Sequence, residues 1–524
     1  MTKEKFEQFA LRLRERDNVA VAKRVIVGGT EFVNGSLRLV AGGEVPLGHK
    51  IAVRAIGQGE AIVKYGQVIG YAKRPIAVGE HVHTHNVGMR ADADDRTRGG
   101  YEKEYCADYR PVQTYPAERV REFAGFARAD GKVGTRNYVG VISSVNCSAS
   151  VSRYVADRFK GEDFRREFPH VDGVIPFTHK GGCGVQIGHP YEVLKRVLAG
   201  VARHPNVFGY VMIGLGCETN QVQFIRSDYK LDVISGTGPR PTFINIQEAG
   251  GTAKTVDVAA AAVRQLCARA NEVRRTKQSV AKLILGLNCG GSDGNSGITA
   301  NPALGVASDE LVKHGGASVL AETPEIYGAE HLLLRRAVNR EVAEKLVSQL
   351  RWWEEHVKLF GATIDNNPTY GNKAGGLTTI YEKSLGAVAK GGQSPLMAVY
   401  DYAQQIDKAG FGFMDTPGYD PVSMTGLVVG GCTVGCFTTG RGSVYGCKPA
   451  PCIKIATNTP LYERMTDDMD VNAGTIIDGT ETLEQVGMRI FEKIVAVASG
   501  EKTKSELAGI GDEEFAPWML GPTF

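Results

Sequence analysis

The chain has 524 residues, and Lys and Arg outnumber Asp and Glu by only 61 to 58, so no global field calls for nucleic acid. Hydrophobic content of 43% and charged content of 23% are ordinary for a soluble globular protein. No apolar run is long enough to span a bilayer, and Met1-Thr2-Lys3-Glu4-Lys5 does not lead into a signal-peptide core, so a cytoplasmic protein of roughly two to four domains is expected. Ten cysteines in a chain this long are no disulfide framework and read as thiols or ligands. Glycine is abundant, at 65, and gathers at the ends of apolar runs, which favours an α/β enzyme.

Residues 1–17 read as a short, charged, helical lead-in. From 18 to 90 the texture changes to short β-branched runs split by glycine, which predicts a compact β-rich module. It ends in Glu80-His81-Val82-His83-Thr84-His85-Asn86. In an extended chain His81, His83 and His85 share one face, either as a metal-binding or acid/base cluster or as solvated edge histidines. Gly48-His49-Lys50 and Lys64-Tyr65-Gly66 add basic groups to the module. Residues 91–118 are polar and without periodicity and read as a linker that lets the module reach another surface.

Residues 119–276 read as a first α/β domain and 277–524 as a second, both of Rossmann-like type with mainly parallel sheets. Strands are expected at Tyr138–Ile142, Gly173–Phe177, Phe208–Ile213 and Ala281–Leu285. Each delivers a cysteine and small polar residues at its carboxyl end, where ligands bind in open parallel sheets. Cys147, Cys183, Cys217 and Cys289 are therefore expected to converge. No loop is GxGxxG, GxxxxGK[ST] or C-x-x-C, so a dinucleotide, P-loop or thioredoxin-type assignment has no support. Cys432, Cys436, Cys447 and Cys452 read mostly as packing.

The segment Leu285 to Pro302 holds Cys289, Ser292, Asp293, Asn295, Ser296 and Thr299 among glycines, as a site for a polyoxygenated anion or as a long surface loop. Helices are expected over 256–275, 309–314, 342–360 and 482–499, and a strand over 317–321 that ends at Glu322 and Glu325. These acids read as metal ligands, proton carriers or acids at a helix start. Asn372-Lys373 sits in a second glycine-rich loop, and Thr439-Gly440-Arg441 follows a further apolar run. A lysine held among glycines can anchor a carboxylate, and an arginine at a strand end can clamp one.

These blocks carry a family resemblance. GHK, KYGQVIGYA and GEHVHTHN resemble the small N-terminal SAF domain of the altronate/galactarate dehydratases, and GLGCETNQ, CGGSDGNSGITANP, NPTYGNKAGG and TTGRGSVYG resemble signatures of their catalytic part. The resemblance implies a small SAF-like module ahead of α/β domains, and dehydration of a hexonate or hexarate to a 2-keto-3-deoxy acid with a divalent metal. HVHTHN looks more like altronate dehydratase, and NAGTIIDGTETLEQVG more like galactarate dehydratase. A related branch eliminates sulfite from sulfolactate with its two parts on separate chains; their fusion here favours the sugar-acid branch.

Such a reaction needs a base for the proton beside the carboxylate, stabilisation of the resulting dianion, and an acid for the 3-hydroxyl. His83, His85, Lys373 and Asp293 are the expected catalytic residues. Ser292, Asn295, Thr299, Asn372, Arg441 and Thr439 are expected to bind substrate, and His83, His85, Glu218, Glu322, Cys183 and Cys289 to supply metal ligands. Fe²⁺ is the expected ion, with Mn²⁺ or Mg²⁺ as alternatives. A second reading makes the thiols ligands of an iron–sulfur cluster in a dehydratase of another hydroxy acid, and a third makes the chain a non-catalytic binder of acidic sugars. A homo-oligomer acting on a small sugar acid, with no nucleic-acid or membrane partner, completes the expectation.

Overall fold

The computed structural model describes residues 4–34, 37–89, 100–232 and 239–521. Among them no helix is long and apolar enough to cross a membrane. The strand-rich front half follows from alternating β-branched residues cut by glycine turns. Ala10–Leu11, Val19–Ala22, Lys50–Ala52 and His81–Val82 form a four-stranded antiparallel sheet. Ala61–Lys64, Gln67–Ala72 and Val87–Gly88 form a second sheet, and Glu31–Asn34 pairs with Leu37–Val40. The expected lead-in helix covers only Phe6–Phe9, because Ala10 and Leu11 are taken up by pairing with Ala22 and Val21.

One side of this module has its own core around Phe6, Ile26, Phe32, Leu39 and Ile51. The other side does not: Ile56, Ile62, Ile69, Val82 and Val87 belong to the same apolar cluster as Leu285, Leu304 and Leu385 of the large α/β region. The described part of the expected linker, from residue 100, is no free tether. The Tyr101 hydroxyl donates to Glu330 at 2.8 Å, and the Cys106, Asp108 and Tyr115 amides donate to the carbonyls of Leu334, Arg335 and Lys313. The module is thus packed down rather than left to swing; residues 91–99 lie outside the described residues.

Two parallel sheets follow. The first has the order Gly173–Phe177, Tyr138–Ser143, Val207–Gly214, Thr242–Asn245. The second is seven-stranded, ordered Leu396–Tyr400, Gly410–Met414, Ala317–Leu320, Ile284–Cys289, Val434–Thr439, Cys452–Ala456, Val471–Asn472. Expected and observed strands agree closely except at the opening of the second sheet. There Ser279 caps a short turn over Val280–Lys282, so the strand starts at Ile284 and carries Cys289 as its last residue. In both sheets the chain starts in the interior, completes one side and then crosses to the other; in the second it reaches the outer edge at Leu396–Tyr400 before Gly410–Met414 fills the place inside it. The crevice at that reversal, outside the carboxyl ends of the strands, is where open α/β sheets bind ligands. In the second sheet it lies between Ile284–Cys289 and Val434–Thr439.

A buried ion triad holds the module to this crevice. Lys50 Nζ lies 2.9 and 3.0 Å from the two Glu382 oxygens, and Lys64 Nζ lies 2.9 Å from Oε1. All three side chains are at most 1% exposed. Thr378 donates to Glu382 through its amide and hydroxyl, and Lys50 and Lys64 also donate to the carbonyls of Gly376 and Gly294. Burial alone would raise the Glu382 pKa, but the two ammoniums hold it well below the usual carboxylate range. A Cβ on Gly294 would meet the Gly48 carbonyl oxygen at 2.0 Å, so module and loop touch backbone to backbone.

Replacing Glu382 by Gln leaves two buried ammoniums without a counter-charge. The expected loss is about 3–5 kcal/mol in urea unfolding at neutral pH. A loss under about 1 kcal/mol, the range of an exposed pair, would show that the triad does not hold the module.

Candidate active site

Strand pairing brings the imidazoles together. Lys50 pairs with Val82 and Ile51 with His81, so His49, just before its strand, stands opposite His83. The His49 ring centre lies 5.1 Å from that of His81 and 4.7 Å from that of His83. Ligand atoms of His49, His81 and His83 all fall within 4.8 Å of one another. His49 Nε2 is 3.2 Å from the Ala374 carbonyl; donating there leaves Nδ1 as a lone-pair donor, 3.0 Å from His81 Nε2. The His85 ring lies 5.5 Å from that of His81, but its nitrogens are not among the ligand atoms that come within 4.8 Å of one another. The chain stops being extended after Val82: the His83 amide donates to Asn86 Oδ1, and the Asn86 and Val87 amides return to the His83 carbonyl. The turn leaves His85 exposed.

Whether these residues suit a divalent cation can be judged from their state. His83 Nδ1 is buried and finds no hydrogen-bond partner. Burial, then the Lys50 charge and the other imidazoles, pushes the His83 pKa down to about 3. Burial, then His49, His85 and Lys50, brings His81 to about 4, and His49 is lowered as well. Three neutral imidazoles with an orphaned lone pair fit a borderline transition-metal ion such as Fe²⁺.

The glycine-rich loops lie directly against this cluster. Asp293 is buried and accepts from Ser296 Oγ, the Asn295 amide, Thr457 Oγ1 and Asn458 Nδ2. Burial raises its pKa, and the Ser296 and Thr457 hydrogen bonds oppose the rise. With both oxygens engaged, Asp293 organises loops and is not free to carry protons. Thr299 donates to the Thr457 carbonyl, Thr439 Oγ1 accepts from the Gly442 amide, and Asn372 closes a capping box and donates to the Ser292 carbonyl. These three expected substrate contacts are spent on the scaffold. Ser292 is buried, and Asn295 keeps a buried, unpartnered Oδ1. Arg441 is exposed and Lys373 half-buried. A Cβ on Gly375 would lie 3.1 Å from Arg441 Cδ, and one on Gly291 would lie 3.4 Å from Arg441 Cβ, which puts the arginine between the histidines and the sheet edge.

Deeper in the same edge is a second polar cluster. Cys289, Glu322 and Glu325 present ligand atoms within 4.8 Å of one another. Lys390 Nζ lies 2.8 Å from Cys289 Sγ and 3.2 Å from Glu322 Oε2, and Lys383 Nζ lies 2.5 Å from Glu325 Oε1. Burial raises the Cys289 thiol to about 12 despite Lys390, so it stays protonated beside an ammonium. Burial and then the Glu325 charge raise the Glu322 pKa, while Lys383 keeps Glu325 ionised. Here two lysines supply the positive charge that a cation would bring. Glu322 sits at φ +74, a strained conformation of the kind found at functional sites. Asp420, half-buried next to Gly290, is raised to about 7 by burial and by Glu325.

The sequence matches three family models. They are the altronate/galactarate dehydratase SAF domain over residues 8–90, the D-galactarate dehydratase/altronate hydrolase second domain over 125–271, and the D-galactarate/altronate dehydratase C-terminal region over 280–523. It is 34% identical to an altronate dehydratase of Bacillus subtilis (strain 168), over 95% of this chain and 96% of that one. It is 36% identical to the altronate dehydratase of Escherichia coli (strain K12), over 95% and 96%. The L-threo-forming galactarate dehydratase of the same strain is 37% identical over 94% and 93%. The chain belongs to the altronate/galactarate dehydratase family.

A sulfolactate sulfo-lyase β subunit is more distant, at 30% identity over 75% of this chain. Within the dehydratase family architecture, Glu218 and Cys183 stand at the edge of the first sheet and not beside the histidines. Glu218 is fully engaged, accepting from Ser144 Oγ and the Leu215 and Gly216 amides, and so is not free to bind a metal. Cys289 is separated from Cys147, Cys183 and Cys217 because it ends a strand of the other sheet. Cys432, Cys436, Cys447 and Cys452 are buried, as expected for packing.

His49, Lys383, Lys390 and Asp420 are the residues that sequence reasoning passed over or undervalued. A signal existed for the lysines: two, seven positions apart, stand with Glu382 and Ser384 in the mainly apolar stretch Ile380–Gly391, a spacing that returns to the same face of a helix.

Substituting His83 by Ala should lower the bound divalent metal after loading and desalting by at least tenfold, read by elemental analysis. His85→Ala should retain most of it. Equal retention in both variants would exclude the imidazole cluster as the metal centre.

Proposed function

We propose that this protein is a hydro-lyase that removes the 2-hydrogen and 3-hydroxyl of a sugar acid, D-altronate or D-galactarate, to give the 2-keto-3-deoxy acid. The observation that carries this reading is the docking of three neutral imidazoles against Arg441 and the glycine loops at the reversal point of the seven-stranded sheet. Family membership along nearly the whole chain supports it.

His49, His81 and His83 would hold a divalent ion, Fe²⁺ before Mn²⁺ or Mg²⁺ because the donors are imidazole nitrogens. When bound, such an ion supplies Lewis-acid stabilisation of the negative charge that develops beside the substrate carboxylate. Arg441, exposed at the mouth, clamps a carboxylate, and half-buried Lys373 adds a second positive charge for the far end of the chain. The backbone amides of Gly291 and Ser292 would face the oxyanion, since those of Gly290, Asp293 and Gly294 already donate to Thr438, Ser296 and Gly375. Asp420 takes the C2 proton as base, since burial poises its carboxyl near neutrality. The same proton passes to the departing 3-hydroxyl, the C3–O bond breaks, water leaves, and the enol tautomerises to the keto acid. Glu325, ionised beside Lys383, and the Lys390 ammonium beside Glu322 and Cys289 line the floor.

A panel of aldonates and aldarates, assayed for 2-keto-3-deoxy product with Fe²⁺, Mn²⁺ or Mg²⁺ returned after chelation, tests the assignment. Product from altronate or galactarate with Fe²⁺ is expected; turnover of sulfolactate alone would overturn it. Asp420→Asn should cut kcat by about 10²–10⁴-fold with KM little changed. In the unsubstituted enzyme kcat/KM should rise with pH through about 7, as Asp420 becomes the free carboxylate. A variant with normal turnover, or one that keeps that rising limb, would remove Asp420 as base.

A further inference from the structure

The first sheet has a reversal crevice of its own, and nothing in the dehydration chemistry uses it. It lies between Tyr138–Ser143 and Val207–Gly214, with Gly173–Phe177 alongside. Each of these three adjacent strands is followed at its carboxyl end by a loop with one exposed cysteine: Cys147, Cys183 and Cys217. The loops are tied together next to the thiols. The Asn146 amide donates to the Gly181 carbonyl at 2.8 Å, and the Thr219 amide donates to the Cys183 carbonyl at 2.9 Å. Buried His179 stiffens the middle loop, with Nε2 3.1 Å from the Ser143 carbonyl and Nδ1 accepting from the Gly181 amide.

Glu218, next to Cys217, turns inward and spends both oxygens on Ser144, Leu215 and Gly216. Three residues past Cys217, Asn220 is 2% exposed, and neither its amide nitrogen nor its carbonyl oxygen has a partner. A single tetrahedral ion held at about 2.3 Å by thiolates would set their sulfurs about 3.8 Å apart. Among the described residues the groups whose ligand atoms all lie within 4.8 Å of one another are His49/His81/His83 and Cys289/Glu322/Glu325, so these three sulfurs do not all lie that close together. Three thiols from three tied loops, spread wider than one ion needs, fit a polynuclear cluster.

We infer that Cys147, Cys183 and Cys217 form a binding site for a [4Fe–4S] cluster at the carboxyl edge of the first sheet. Each thiol gives up its proton on binding iron, and the fourth iron, without a cysteine, is left open to a small oxygen ligand. The iron and sulfide come from outside the protein, and no electron transfer is needed to seat a preassembled cluster.

The test uses the full-length protein, incubated anaerobically with Fe²⁺ and sulfide and then desalted. The expected result is a broad absorbance near 400 nm with about four acid-labile sulfides per chain and about five irons, four with the sulfide and one on the imidazole site. Cys147→Ser, Cys183→Ser and Cys217→Ser should each lose most of the sulfide and colour, while Cys106→Ser keeps both. Thermal unfolding without iron should match the parent in all four, which separates ligand loss from misfolding. Failure of the imidazole metal site is read separately, because His83→Ala should keep the full sulfide content. No sulfide retained by the parent, iron retained without sulfide, or undiminished sulfide in a Cys147/Cys183/Cys217 triple Ser variant would each overturn the inference.

Discussion

A buried carboxylate between two buried ammoniums decides how this molecule is put together. Glu382 comes from a helix of the large α/β region, and Lys50 and Lys64 from two strands of the front module. Desolvating three charges is costly, and only close geometry and the added hydrogen bonds from Thr378 and to Gly294 and Gly376 offset it. The arrangement fixes orientation: a module rotated or slipped by one residue would bury a charge without its partner. Because His49 precedes Lys50 directly, the contact that seats the module also sets the imidazoles over the sheet edge.

The same helix serves the chemistry on its other side. Lys383 follows Glu382 and turns to Glu325, and Lys390 reaches Cys289 and Glu322. The helix Ile380–Val388 and the 3-10 turn after it, Ala389–Gly391, thus supply the charges for the module contact and for the carboxylate floor. The site that results is sorted by depth. Neutral imidazoles and Arg441 stand near the mouth, Asp420 is half-buried, and the carboxylate–lysine–thiol cluster lies below. Each depth leaves a different ionisation state. Burial takes the proton off the histidines, brings Asp420 to about 7, and raises Glu322, while Lys383 keeps Glu325 ionised.

Much of the architecture was legible because the relevant forces are local. Glycine-split β-branched runs can only make a short-stranded module, and apolar runs ending in glycine and small polar residues mark strands of a parallel sheet with ligand loops at their ends. The loops after Cys289 and Phe437 were legible for that reason, and Arg441 with them. The individual roles were not. Asp293, Thr299, Thr439 and Asn372 have the composition of a ligand site, but a loop built from small polar residues must first satisfy its own buried backbone and side-chain groups. Period two did not foretell the exposure of His85: pairing ends at Val82 and Asn86 folds the chain into a turn, which keeps the His85 ring 5.5 Å from that of His81 but turns it towards solvent.

The sequence by itself determined the family, the strand-rich front and parallel α/β remainder, and the loops that carry polar chemistry, because period, glycine placement and long motif blocks are properties of neighbouring residues. Only the tertiary structure decided that His49 joins His81 and His83, that Cys289 parts from the other three thiols, and that Glu382, Lys383 and Lys390 join distant segments. Those outcomes depend on strand register and sheet order, which set residues hundreds of positions apart side by side and which no local pattern encodes.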